Sequence, residues 1–415
     1  MMGKGGPQQR PQQRPLQRPR LRKGGSPPGL RNAILDAVTH SDGLVSVAVI
    51  LLGFMVATVL ILLVGRRPGG MYSAILQVLT GLDLRRFTWN ARYIGEWLVM
   101  SMPLILCGLS MGFAARTGLF NIGAEGQYIA GITAAQLVGF WGPRIPGLHW
   151  LLALAAAMAA GAVWGGVVGW FKARFSVSEV VATIMMNYIA LYGSRLITLT
   201  IPGASTYRIP DFSKTALLRS PLLESLTNGS RLNYGIWFTL GAIFFYWIVM
   251  GKTRLGYSLR ATGLNKDAAK YGGISVNSSI TASMAISGAF AGLAGAIVAL
   301  GSFSYGRVLG AQDGYGFDGI AVALVGNSTA WGTALAGLLF GMLKSAQPLM
   351  QSRQIPKEIA SIIMGLVVVF ISLRSGVRII LDWQLKEKAR KNEAAGEVFS
   401  GGGKDLSGDG PAEEG

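Results

Sequence analysis

Gly118-Leu-Phe-Asn-Ile-Gly-Ala-Glu-Gly-Gln-Tyr-Ile-Ala-Gly131 sets Asn121, Glu125 and Gln127 among closely spaced glycines, inside a stretch where hydropathy calls for a membrane span. A carboxylate and two amides at membrane depth are costly unless they are paired or face water. Glycines at this density argue for a bent or broken helix, which a bilayer tolerates only where protein or an aqueous cavity surrounds it. Broken helices with convergent polar groups are a common way to build a transported-substrate site. The stretch therefore points to a transport pathway.

The rest of the chain agrees with a membrane setting. Of its 415 residues 51% are hydrophobic and 14% charged, and the mean hydropathy is +0.42. Soluble domains carry roughly 25% charged residues, so an all-α polytopic transmembrane bundle is expected. The formal net charge of +18 would suit nucleic acid. The bases, however, lie at the chain ends and in short loops, where they set membrane orientation, and no nucleic-acid partner is expected. Cys107 is the sole cysteine and lies in an apolar run, so no intrachain disulfide can form. With one cysteine, His40 and His149 make no metal constellation.

Apolar runs recur at about 44–65, 94–115, 119–141, 149–171, 180–200, 234–251, 276–301, 317–326, 331–346 and 357–374. Most approach the ~20 residues that cross a bilayer. The run at 317–326 is too short, and Gly326-Asn327-Ser328 interrupts it. Residues 317–346 therefore read as a half-helix entering from outside, a turn and a returning helix. About ten crossings result, with broken or half-helices near 118–131 and 317–328 and both termini cytoplasmic. The bias of basic residues toward the inside is modest on this topology, because Arg66, Arg67, Arg85, Arg86 and Arg92 fall in an outer loop over 66–93.

The membrane domain spans 44–375. Before it, residues 1–35 form a basic, Pro/Gln/Arg/Gly-rich tract that cannot bury a core and is expected to be disordered in the cytoplasm, as a topological anchor or a contact for anionic membrane lipid. After it, residues 392–415 are Gly-rich and acidic and are expected to be a disordered tail.

Residues 252–274 hold five bases and one acid, with too little apolar length to span. Asn265 can cap a short helix through Lys266–Tyr271, and Gly272 can end it. A capped helix with small residues on one face can seat in a groove of another protein. The other reading is a basic loop that obeys the positive-inside rule.

Four segments, in order, resemble the nucleoside branch of bacterial ABC importer permeases, within the ribose and branched-chain amino acid permease family. They are Gly118-Leu-Phe-Asn-Ile-Gly-Ala-Glu-Gly-Gln127, Glu179-Val-Val-Ala-Thr-Ile-Met-Met-Asn-Tyr-Ile-Ala190, Leu259-Arg-Ala-Thr-Gly-Leu-Asn-Lys-Asp-Ala-Ala269 and Phe317-Asp-Gly-Ile-Ala-Val-Ala-Leu-Val-Gly-Asn327. The resemblance covers about 94–375; the basic N-terminal tract and acidic tail depart from it. It implies a permease in a bacterial cytoplasmic membrane. The partners it implies are ATP-binding-cassette ATPase subunits, a second homologous permease subunit and an external substrate-binding protein, in some systems a lipoprotein. It further implies that Arg260, Gly263, Asn265, Ala268 and Ala269 contact the ATPase. No Gly-x-x-x-x-Gly-Lys-Ser/Thr phosphate loop occurs, and Gly401-Gly-Gly-Lys404 fits neither the spacing nor the following residue, so ATP hydrolysis falls to another chain. No cofactor and no catalytic residue is expected.

The candidate pathway residues are Asn121, Glu125, Gln127, Asn187 and Tyr188. Glu125 can accept hydrogen bonds from a ribose or base, or it can cap the amides of a broken helix. Asn121 and Gln127 both donate and accept, for a substrate or for the interrupted backbone. Tyr188 can stack on a nucleobase, a contact of ~1–3 kcal/mol, or simply pack, and Asn187 can bond between helices. Ser176-Val-Ser-Glu179 reads as a capping box. Asp318 suits a helix N-terminus, with a place in the pathway as its other reading. Lys344 reads as snorkelling. The Gly/Ala concentrations at 155–169 and 288–296 allow close helix packing.

Three classes of function stay open at this stage. The ABC permease has the alternative of simple sugars such as ribose, because neutral polar groups suit both. A proton-coupled secondary transporter would use Glu125, whose burial could raise its proton affinity. An intramembrane enzyme is disfavoured, because His40 and His149 flank the spans and no recognisable catalytic pair occurs.

Overall fold

The computed structural model describes residues 42–356 and 358–372. The 1–35 tract and the 392–415 tail lie outside them. Fourteen α-helices occur among the described residues. They are α1 (Asp42–Leu63), α2 (Gly69–Thr80), α3 (Arg92–Ala115), α4 (Ala124–Trp141), α5 (Leu148–Phe175), α6 (Glu179–Leu199), α7 (Pro221–Leu226) and α8 (Gly235–Lys252). Then come α9 (Arg254–Leu264), α10 (Lys266–Tyr271), α11 (Val276–Ile297), α12 (Tyr315–Val325), α13 (Ala330–Ser352) and α14 (Glu358–Ser372). The chain divides into Met1–Val45 and Ser46–Gly415, and every element after α1 lies in the second unit. Two small antiparallel ribbons complete it: β1 (Leu82–Asp83) with β2 (Thr88–Trp89), and β3 (Arg208–Asp211) with β4 (Tyr305–Arg307).

Each of the ten apolar runs coincides with a helix, α1, α3, α4, α5, α6, α8, α11, α12, α13 and α14 in turn. Among the described residues, α3, α5, α6, α8 and the segment Val276–Ser302 are long and apolar enough to cross a membrane by themselves. The fold is an all-α, multi-pass membrane bundle. One expectation needs correction: the 66–93 loop is not simply a loop. It contains α2, whose Met71, Ala74, Ile75, Gln77 and Val78 are buried. Arg353, just past α13, holds α2 in place by donating to Gly70 O, to Ser73 Oγ and to Gln77 Oε1.

Close approach of small residues builds the centre of the bundle. A Cβ on Gly161 of α5 would lie 2.9 Å from Gly292 Cα of α11, so only hydrogen fits there. On its other side Gly292 meets Gly131 of α4, and a Cβ on Gly295 would lie 2.8 Å from Ile132 N of α4. Without a hydrophobic drive between helices in lipid, such contact supplies the dispersion energy that holds them. The Gly/Ala concentrations read from the sequence do form this α4–α5–α11 seam.

The two expected irregularities are both present. The chain leaves α3 at Ala115, turns through Gly118 with φ +71°, and becomes helical again only at Ala124. The left-handed φ requires glycine at Gly118, and the break thus precedes α4. The second is the re-entrant pair. Gly319 of α12 rests against Cys107 near the middle of α3, and Ser328 lies beside Gly112. Thus α12 starts at mid-depth and runs parallel to α3. In α13, Gly337 meets Ile105 and Gly341 meets Ser101, so this helix returns along α3 in the opposite direction.

Candidate functional site

Asn121, Glu125, Gln127 and Asn187 are brought together around the α3–α4 break and are 0 to 1% exposed. Asn121 Nδ2 donates to Gln127 Oε1 at 2.9 Å, and Gln127 Nε2 donates back to Asn121 Oδ1 at 3.1 Å. Asn121 Nδ2 also reaches Ser287 Oγ on α11 at 2.6 Å, and Ser287 Oγ donates to the Ser110 carbonyl of α3 at 2.6 Å. One helical turn away on α11, Ser283 Oγ lies 2.8 Å from Thr117 Oγ1. These amides and hydroxyls satisfy one another, as buried polar groups must.

Asn187 supplies what the interrupted backbone lacks. Its Oδ1 accepts from Gly126 N at 2.8 Å, and its Nδ2 donates to Ile122 O at 3.1 Å, so one α6 side chain bridges the break. The neighbouring Tyr188 points elsewhere. It is 50% exposed on the α6 face that also presents Val181, Met185 and Tyr192, outside the polar cluster.

Glu125 joins two helix N-termini. It lies in the first turn of α4, and its carboxylate accepts from Gly314 N at 2.8 Å and Gly316 N at 2.6 Å at the start of α12. A Cβ on Gly316 would come within 2.8 Å of the Ala124 carbonyl carbon, so the two helix starts are in contact. A helix N-terminus presents unpaired N–H groups and a partial positive charge, which favour an anion. The carboxylate serves as that anion for two helices at once.

Next to it is a second polar knot that sequence reasoning missed. Tyr128 Oη donates to Asp313 Oδ2 at 2.8 Å, and Arg307 Nη2 pairs with the same oxygen at 2.7 Å. Gln136 Oε1 accepts from Arg307 N at 2.5 Å. Burial opposes charge on Arg307, but the bonds and charge of Asp313 outweigh it and hold the guanidinium pKa above its ordinary value. Tyr128 and Gln136, eight residues apart on one face of α4, were the available signal.

At the end of the bundle where α3 finishes, α9 and α10 form a surface element. Asn265 Oδ1 accepts from Asp267 N at 2.9 Å and Ala268 N at 3.0 Å, the expected cap, and Gly272 follows the last turn. Ala269 is buried, while Ala268 is exposed. A Cβ on Gly263 would lie 3.0 Å from Gly118 N, so α9 rests on the α3–α4 reversal. Arg116, in that reversal, donates from Nε to Ser328 O at 2.8 Å and from Nη2 to Asn327 O at 3.2 Å, in the α12–α13 turn. Tyr246 Oη on α8 donates to the same Ser328 carbonyl at 2.7 Å. Arg116, Tyr246 and Arg260 line a cleft of about 170 Å³ there. Leu264 and Tyr271, also missed in the sequence, are 89% and 94% exposed.

Three readings of single residues change. The 176–179 capping box does not form: Ser176 takes φ +55° at the end of α5, Ser178 makes no side-chain cap, and Glu179 pairs with Lys172 at 2.7 Å. Lys344 does not snorkel but pairs with Asp318 at 2.5 Å, its ammonium 4.6 Å from the Tyr315 ring centre. His149 does not flank a span but lies buried in the first turn of α5, hydrogen-bonding through both ring nitrogens to Thr215 Oγ1 at 2.9 Å and to the Val138 carbonyl at 2.8 Å.

Residues 93–372 match the model of a family described as branched-chain amino acid transport system / permease component. The guanosine ABC transporter permease protein NupP of Bacillus subtilis is 42% identical over 348 residues, 83% of this chain and 97% of that protein. The nucleoside ABC transporter permease protein NupB of Lactococcus lactis is 33% identical over 359 residues, 85% of this chain and 96% of that protein. The glucose ABC transporter permease protein TsgB13 of Haloferax volcanii is 32% identical over 288 residues, 66% of this chain and 75% of that protein. No solved structure matches the chain.

Proposed function

The chain belongs to the branched-chain amino acid transport system / permease component family, and from that premise we propose that it is the nucleoside-translocating permease subunit of an ATP-binding-cassette importer. It is a transport component, not an enzyme. ATPase and substrate-binding subunits act with it, as the family requires. A second homologous permease subunit completes the pathway, and the external binding protein delivers the nucleoside. The complex sits in a bacterial cytoplasmic membrane, with both termini and the α9–α10 element on the cytoplasmic side.

The observation that carries this reading is mechanical. Gly263 of α9 bears on the Arg116–Gly118 reversal, and Arg116 also holds the turn of the re-entrant pair. From that reversal the chain leads to the junction of two half-helix N-termini at Glu125. A partner that displaces α9–α10 thereby acts on both interrupted segments at once. Arg260, Gly263, Asn265, Ala268 and Ala269 form or support that element, and the exposed Leu264 and Tyr271 offer the ATPase an apolar grip. Nucleosides are favoured over sugars because NupP and NupB, named for guanosine and nucleoside transport, match 83% and 85% of this chain against 66% for the glucose permease.

Within the permease, Asn121, Gln127, Asn187 and Glu125 support the pathway by holding the break. The test is uptake of labelled guanosine and glucose into vesicles holding the full complex, with and without ATP. ATP-dependent guanosine uptake is expected. Glucose uptake alone would replace the substrate, and uptake by this chain without ATP would overturn the permease-subunit reading.

A further inference from the structure

Asn121, Glu125, Gln127 and Asn187 spend their hydrogen bonds on one another or on nearby backbone, whereas Asp318 and Lys344, also noted in the sequence, line open space. Between α12, α13 and α14 lies a cavity of about 470 Å³ walled by Asp318, Phe340, Lys344, Gln347 and Ser361. Its size falls in the range of about 300–1,000 Å³ typical of small-ligand sites. Asp318 and Lys344 form their ion pair at its wall, with side chains 32% and 19% exposed. Gln347 Nε2 lies 3.4 Å from Ser361 Oγ across the gap between α13 and α14, a contact too long to occupy either group fully.

Asp318 precedes Gly319, which rests on Cys107 near the middle of α3, while Ser345, next to Lys344, reaches the Glu96 carbonyl near the start of α3. The cavity therefore runs from the α2 end of the bundle to the depth at which the half-helix α12 begins. A partly exposed charge pair at membrane depth does not face hydrocarbon without large cost. Its open side faces water or a second subunit.

Resting on the permease reading above, we infer that this cavity is the chain's contact surface for the transported nucleoside. The pair is neutral as a unit, so it suits an uncharged ligand. Asp318 accepts from ligand hydroxyl or N–H groups. Lys344 and Gln347 donate to carbonyl or ring acceptors, and Ser361 does either. Phe340 supplies an apolar floor. Asn121 and Gln127 then shape the bundle without touching the ligand.

Cysteine protection tests this in the complete importer, because Cys107, the native thiol, is fully buried. Gln347→Cys and Ser361→Cys are introduced separately, so that failure of one to insert leaves the other, and labelled with a membrane-impermeant maleimide. Labelling that guanosine slows several-fold is expected. Asp318→Asn, which keeps the side-chain shape but leaves Lys344 without its charge partner, is expected to raise KM for guanosine several-fold more than it lowers the maximal rate. Labelling without protection, or no labelling, in complexes that still import guanosine would overturn the cavity assignment and leave the importer standing. A wild-type complex that imports no nucleoside would bring down the underlying reading and this inference with it.

Discussion

Glu125 Oε2 lies 2.6 Å from the amide nitrogen of Gly316, and this one contact ties the start of α4 to the start of α12 inside the bundle. Its twin, Oε1 to Gly314 N at 2.8 Å, makes the carboxylate a two-point cap. Both half-helices thus share one anion, and the depth of each depends on the other.

Glu125→Ala leaves two buried N–H groups without an acceptor, a cost of about 1–3 kcal/mol each. Glu125→Gln keeps one acceptor oxygen and loses the charge, so it falls between wild type and Ala. Melting of the purified protein in detergent checks the order wild type, Gln, Ala. Uptake through the complex is expected to be insensitive to a proton uncoupler while ATP is clamped. Collapse of uptake under those conditions would instead make Glu125 a proton site.

Asn187 and Tyr188 are adjacent in sequence but differ in what they hold. Asn187→Leu removes both bonds that bridge the α3–α4 break and is expected to lower stability by about 2–4 kcal/mol, from the unpaired groups left behind. Tyr188→Ala, at a half-exposed position, is expected to stay within roughly 0.5 kcal/mol. Parallel melting curves of the two variants decide this, and equal losses would contradict the geometry.

The α5–α11 seam tolerates no side chain. A Cβ at Gly292 would sit 3.1 Å from the Ala157 carbonyl carbon and 3.2 Å from Gly161 Cα. Gly292→Val forces the helices apart at a cost of about 1–3 kcal/mol or more. Gly193→Ala, with open space around it, is the control and is expected to be neutral. The yield of monodisperse protein after extraction reads the difference.

Leu264→Ala and Tyr271→Ala alter side chains that touch almost nothing in this chain, so stability is expected to hold within roughly 0.5 kcal/mol. ATP-driven uptake is nevertheless expected to fall, with ATP hydrolysis no longer tracking transport. Asn265→Ala removes the α10 cap, worth about 1 kcal/mol, and is expected to weaken coupling less than the two exposed residues together. Unchanged uptake in the Leu264/Tyr271 double variant would remove the ATPase from this surface.

Much of the architecture was legible because hydropathy and glycine spacing are local properties. All ten apolar runs became helices, the shortest became the half-helix α12, and Asn265 capped α10 as its side-chain chemistry dictates. The helix α2 escaped notice because its twelve residues are too short to span and its burial depends on Arg353, far along the chain. The capping box failed because Ser176 ends α5 in a left-handed conformation and α6 starts only at Glu179, so Ser176 is not placed to cap it.

By itself, then, the sequence determined that this is a many-helix membrane protein with interruptions near 118–131 and 317–328 and a capped surface element within 252–274. These follow from which residues prefer lipid, which permit a turn and which cap a helix, and each acts within a few residues. Tertiary structure alone decided what the polar residues do. Glu125 meets Gly314 and Gly316 across 189 and 191 residues, Asn121 meets Ser287 across 166, and Asp318 meets Lys344 on the next helix. Inside a bilayer a polar group must find its partner within the protein, and which partner it finds is set by how the helices pack.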